Sequence, residues 1–254
     1  MSRVTILLYG ALSYCIFFAT FLYAIGFVGG FVVPTALDGE LRVPLWHAVI
    51  VNLALLTLFA LQHSVMARPA FKNWWTQFVP QPAERSTYVL LSSIALIAVF
   101  AFWQPMGGTI WDVKSTAGQV VLYGLFAFGW ALVLLSTFLI NHFDLFGLRQ
   151  VWLHFTGKED HPLAFGTPWL YRYVRHPLYV GWLFAFWATP TMTAAHLLFA
   201  IVTTLYILVA IRLEERDLLD AHGDQYAQYQ KSVPMLIPRM TTKAPSEAGD
   251  PRPG

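Results

Sequence analysis

Long apolar stretches alternate with short polar joints along this chain, and the stretches are too long for the core of a soluble domain. The pattern predicts six spans: Thr5–Val33, Leu45–Met66, Tyr88–Trp103, Gln119–Ile140, Pro177–Thr189 and Ala195–Arg212. Four of them are long enough to cross a hydrocarbon core of about 30 Å as helices. The fifth is not. Its length gives only ~20 Å at ~1.5 Å per residue, so its start lies below the headgroups or in a re-entrant bend.

The cations fix an orientation. With the N-terminus in the cytoplasm, only Arg42 and Lys114 of the 16 Lys and Arg residues fall in outer loops. The positive-inside rule then favours an even number of crossings with both termini cytoplasmic. The expected fold class is all-α, a polytopic transmembrane helix bundle of about six spans. A five-span version, in which the last hairpin does not cross, stays open. Residues 1–240 read as one transmembrane domain with a cofactor half at about 165–240, and 241–254 as a disordered tail rich in Pro, Gly and Ser.

Composition agrees: of 254 residues, 57% are hydrophobic and only 12% charged, which excludes an ordinary soluble domain. The net charge of +2 carries no information beyond topology, and nothing resembles a nucleic-acid-binding patch. Arg3 followed by an apolar run imitates a secretory signal. The run is too long for one and lacks a small-residue cleavage site, so it reads as a retained helix. Cys15, the sole cysteine, lies inside that run and reads as a buried packing residue. No internal repeat supports a transporter built from inverted halves.

Polar residues at the ends of apolar helices are costly and therefore informative. They crowd one side: Gln62, His63, Ser64 and Arg68; Glu84, Arg85, Ser86 and Tyr88; Asn141, His142, Asp144, Arg149 and Gln150; Tyr171 to His176; and Arg212 to Asp217. One site open to the cytosol is expected there. The eight histidines include no pair three or four residues apart, so a helical metal box is not expected and no metal is assigned.

Two strings stand out. Arg175-His176-Pro177-Leu178-Tyr179 opens the last hairpin, and Glu214-Glu215 closes it 38 residues after the histidine. An up-and-down hairpin returns to the side it left, so the two strings should meet. Pro177 suits the first turn of a helix, where its missing N–H costs nothing. A cation, an imidazole, a phenol and two carboxylates at one place suit a charged cofactor that carries an amino acid.

Tyr171-x-Tyr173-Val174-Arg175-His176-Pro177-x-Tyr179-x-Gly181, Glu214-Glu215, Gly223-x-x-Tyr226-x-x-Tyr229, Val233-Pro234 and Pro238 resemble the isoprenylcysteine carboxyl methyltransferase superfamily of integral membrane enzymes. Further strings narrow the likeness. Gln62-His63-Ser64-Val65-Met66-Ala67-Arg68-Pro69, Glu84-Arg85-Ser86-Thr87-Tyr88 and Ser136 through Gly147 look like the bacterial methanethiol S-methyltransferases, over nearly the whole chain.

The resemblance implies S-adenosylmethionine as cofactor and methanethiol, a small thiol, as substrate, with dimethyl sulfide as product. It implies a bacterial inner membrane, membrane lipid as the surrounding partner, and no nucleic acid. It leaves oligomeric state open. By the same resemblance, His176 and Tyr179 line the adenosine end, with Tyr173 in the same motif. Glu214 and Glu215 hold the ammonium or the ribose hydroxyls. Arg175 either pairs with the cofactor carboxylate or anchors the inner leaflet.

For the base that takes the thiol proton, the first expectation is His142, oriented by Asp144 within Asn141-His142-x-Asp144. His63 is the second, and Arg149 is a candidate for steering the thiolate. Competing readings are methylation of another acceptor (a different thiol, a prenylcysteine carboxylate or a lipid amine) and a non-enzymatic channel or carrier.

Overall fold

The computed structural model describes residues 2–161 and 165–238; the tail expected at 241–254 lies outside the described residues. Ten α-helices and two short strands follow in order: α1 (Arg3–Gly29), α2 (Leu45–Ala67), α3 (Pro69–Trp75), α4 (Gln81–Phe102), β1 (Thr109–Asp112), α5 (Thr116–Ile140), α6 (His142–Leu145), α7 (Leu148–Thr156), α8 (Pro177–Trp187), β2 (Thr191–Thr193), α9 (Ala194–His222) and α10 (Asp224–Ser232). A single 3-10 turn, Trp169–Arg172, leads into α8.

Among the described residues, five helices, α1, α2, α4, α5 and α9, are long and apolar enough to cross a membrane. The chain is an all-α polytopic bundle and an integral membrane protein. The fifth expected span is only the 11-residue α8, about 16 Å of helix, roughly half the hydrocarbon core. Pro190 biases Thr189 towards extended backbone, and the chain passes into β2. That strand pairs antiparallel with β1, Thr109 opposite Thr193 and Asp112 opposite Thr191. The α8–α9 turn is thereby fastened to the α4–α5 turn at one end of the bundle. Starting from that end, α8 reaches only half-way back, and its N-terminal motif lies within the bundle.

Other boundaries move too: the third span starts at Gln81, seven residues before the expected Tyr88, and the fourth at Thr116 rather than Gln119. The first span stops at Gly29, short of the expected Val33, because Gly30 takes the left-handed conformation at φ 71°, which glycine adopts without steric cost. The last span continues past Arg212 to His222. Glu214 and Glu215 therefore stand on an unbroken helix rather than at its frayed end. Ser2, Ser115 and Thr193 cap α1, α5 and α9 by accepting a hydrogen bond from the Thr5, Gly118 and His196 backbone N–H.

The hydrophobic core runs through Phe27, Phe100, Trp103, Trp130, Phe186 and Phe199. The closest helix contact is α5 on α8. A Cβ added at Gly181 would sit 2.8 Å from both Gly129 O and Val133 N, and one at Gly129 would sit 2.5 Å from Ala185 N. Small residues let apolar helices approach backbone to backbone. Gly181→Leu should therefore abolish the monodisperse folded peak in size-exclusion chromatography. Gly124→Leu, on the same α5 but with nothing within 4 Å, should leave that peak in place.

Candidate functional site

At the N-terminus of α8, the hairpin strings meet as the spacing predicts. His176 is buried, with Nε2 3.0 Å from Glu215 Oε1 and Nδ1 3.9 Å from Glu214 Oε2. The Tyr179 hydroxyl donates to Glu214 Oε2 at 3.0 Å. The two adjacent glutamates differ sharply in what surrounds them.

Glu215 is engulfed. Arg175 Nε donates to Oε1 at 2.7 Å, His176 shares that oxygen, and Gln230 Nε2 donates to Oε2 at 2.9 Å. Arg175 Nη1 also donates to Gln230 O and Val233 O, while the Arg175 and His176 backbone N–H groups donate to Pro234 O and Met235 O. This clasp ties α8, α9, α10 and the C-terminal turn together. Arg175 thus has Nε and Nη1 committed inside the fold, turned to Glu215 rather than outwards. Nearby, burial and then the Glu215 charge push the Tyr226 phenol up to about 12.

Glu214 is open. Its side chain is 45% exposed, and Oε1 receives no donor among the described residues. Next to it stands Tyr171, whose hydroxyl is buried without a hydrogen-bond partner among the described residues. The Tyr171 and Ser136 hydroxyls are neighbours whose contact falls short of a well-formed hydrogen bond. Burial first, and the Glu214 charge second, hold the Tyr171 phenol well above its ordinary range, so it stays a neutral donor. Unpartnered buried hydroxyls beside a half-exposed carboxylate are a built place for a polar ligand, because such groups otherwise carry a desolvation cost. Tyr173 is exposed at the rim.

The two histidines expected as alternative bases sit in different settings. His142 is sealed in an aromatic box: it stacks on Phe138 at 4.2 Å and meets Phe143 and Phe146 edge-on. Its Nε2 lies 2.8 Å from the Tyr14 hydroxyl and its Nδ1 2.8 Å from Thr137 Oγ1. Both ring nitrogens are occupied, and burial lowers its pKa. These contacts tie α1 to the end of α5, and none of them reaches the hairpin strings.

Asn141, at φ 146°, caps α6 by accepting from the Asp144 backbone N–H. The Asp144 carboxylate accepts from Arg149 and Gln150, not from His142. Arg149 bridges Asp144 and Asp160 and donates to His161 O. The expected His142–Asp144 dyad is absent because Asp144 is claimed by Arg149.

His63 belongs to a hydroxyl cluster between α2, α4 and α9. Its Nδ1 lies 3.2 Å from Ser92 Oγ, and the Tyr88 hydroxyl is 3.0 Å from each ring nitrogen. Ser64 Oγ pairs with the Tyr206 hydroxyl at 3.1 Å. The Tyr88 and Tyr206 phenols lie within electrostatic reach of Tyr179, so this cluster adjoins the Glu214 side of the hairpin. Ser92 and Tyr206 escaped the sequence reading, and Ser136 entered it only as part of a resemblance string, with no role. Their one signal was a hydroxyl inside an otherwise apolar helix.

The chain is 57% identical over 244 residues to the methanethiol S-methyltransferase of Crocosphaera subtropica, covering 96% of each chain. It is also 57% identical over 238 residues to that of Mycobacterium tuberculosis, covering 94% of this chain and 98% of the other. The chain belongs to the methanethiol S-methyltransferase family. A more distant likeness, 32% over 191 residues, links this family member to bovine nurim, covering 71% of this chain and 70% of nurim. No family model matches, and no solved structure matches. As a member of the methanethiol S-methyltransferase family, the protein is a membrane methyltransferase and requires a methyl donor.

Proposed function

We propose that the protein transfers a methyl group from S-adenosylmethionine to methanethiol, giving dimethyl sulfide, at a site on the cytoplasmic side of a bacterial inner membrane. The observation that carries this reading is the convergence of His176, Tyr179 and half-exposed Glu214 at the start of α8, beside the unpartnered Tyr171 hydroxyl. These groups fit a zwitterionic nucleoside, since an open carboxylate suits an ammonium or ribose hydroxyls and a neutral phenol donates to a carboxylate. When bound, S-adenosylmethionine supplies a methyl group on a cationic sulfur.

This chain's residues then have four tasks. Glu214 binds, with Tyr179 fixing its carboxylate and His176 backing it. Glu215 and Arg175 hold the frame rigid, with Tyr173 at the rim. His63 takes the thiol proton, directly or through the Tyr88 hydroxyl, which lies 3.0 Å from both ring nitrogens. The surrounding apolar helices exclude water. Opposite charges on donor and nucleophile are partly neutralised in the transition state, so a dry site favours the step beyond what alignment supplies. His142, Asn141, Asp144 and Arg149 shape the adjoining end of α5. The charge distribution of the loops supports the cytoplasmic orientation.

The test is headspace dimethyl sulfide from purified protein given both substrates. His63→Ala should lower turnover about 100-fold with unchanged affinity for S-adenosylhomocysteine. His142→Ala should lower the melting temperature yet keep turnover per folded molecule. The opposite pattern would assign the proton to His142.

A further inference from the structure

A recess of about 150 Å³ opens on the flank of the bundle between α2 and α9. We infer that it is the entry and holding site for the thiol, reached from the lipid, with Phe59 and Tyr206 as its inner gate. The inference rests on the methyl-transfer reading above.

The recess is apolar. Leu56, Phe59, Ala60, Val202, Thr203 and Tyr206 line it, and the Thr203 hydroxyl is capped by Phe199 O at 2.6 Å and Ala200 O at 3.2 Å, leaving its methyl group for the wall. Its rim faces hydrocarbon, because Leu61 and Leu205 are 60% and 58% exposed on the same two helices. An apolar cavity of about 150 Å³ accommodates a ligand as large as benzene, so a thiol with two heavy atoms fits. No charged side chain lines it. A sulfonium or an amino-acid thiol would lose its hydration there without compensation, which directs the donor to the polar end instead.

The floor of the recess joins the hydroxyl cluster. Phe59 stacks on His63 at 5.3 Å and meets Tyr206 edge-on at 6.3 Å. Past these two rings lie His63, Ser64 and Tyr88, with Tyr206 turning its hydroxyl to Ser64. An uncharged thiol moving inward thus leaves an apolar wall and meets the groups that remove its proton.

The experiment fills the recess after folding. Thr203→Cys is placed in a Cys15→Ser background, and the purified protein is treated with N-benzylmaleimide, whose thioether the substrate thiol cannot cleave. Comparing labelled with unlabelled Thr203→Cys, the methanethiol KM should rise about tenfold, while S-adenosylhomocysteine affinity stays within a factor of two. An unchanged KM after complete labelling, verified by mass spectrometry, overturns the route. Failure of the underlying reading shows separately: unlabelled wild-type protein would then form no dimethyl sulfide.

Discussion

Glu215→Ala should lower the melting temperature of the detergent-solubilised protein by about 10 °C, more than any other single change in the polar end. Glu215 accepts from Arg175, His176 and Gln230 at once, and Arg175 and Glu215 are only 10% and 11% exposed. Removing one member of a buried ion pair strands its partner's charge and costs about 3–5 kcal/mol. For a chain of this length each kcal/mol moves the midpoint by about 2–4 °C. Glu215→Gln should cost roughly half as much, because its amide oxygen still accepts from Arg175 and His176 while the Gln230 amide can turn to meet the new N–H₂. Tryptophan fluorescence during heating reads both values. An alanine variant that melts with the wild type would show that the clasp contributes nothing.

The neighbouring residue should behave in the opposite way. Glu214→Ala is expected to leave the melting temperature within a degree or two while weakening S-adenosylhomocysteine binding about 10- to 100-fold. Glu214 gives the fold only an acceptor for the Tyr179 hydroxyl and is 45% exposed, so little packing is lost. A charge-assisted hydrogen bond to a ligand contributes about 1.5–3 kcal/mol, which converts to that range of affinity. Tyr179→Phe should weaken binding less, since it frees the carboxylate without removing it. Isothermal titration of the three proteins decides the matter, and equal affinities would remove Glu214 from the binding site.

The split between two consecutive glutamates also marks how far the sequence could be read. Apolar lengths and the return of a hairpin were enough to bring His176 and Tyr179 to Glu214 and Glu215, because that juxtaposition follows from helix rise and chain direction. The same pattern could not say which carboxylate would be swallowed. That depends on Gln230 and the carbonyls of 230–235 folding back across the chain, a tertiary event with no periodic signal.

His142 shows the same boundary. Its polar neighbours in sequence, Asn141 and Asp144, suggested a catalytic dyad, but Tyr14, 128 residues away, supplies the contact that occupies its ring. The depth of α8 was legible from its short length. Its fastening at the far end by the β1–β2 pair was not, since four- and three-residue strands carry too few residues to show alternation.

Methyl transfer itself is tested most directly with S-adenosylmethionine carrying a trideuterated methyl group. Purified protein, the labelled donor and ordinary methanethiol are sealed together, and the headspace gas is weighed by mass spectrometry. The account predicts dimethyl sulfide bearing one deuterated and one ordinary methyl from the wild-type protein, and almost none from Glu214→Ala at limiting donor. Dimethyl sulfide without deuterium, or equal labelled product from both proteins, would contradict it.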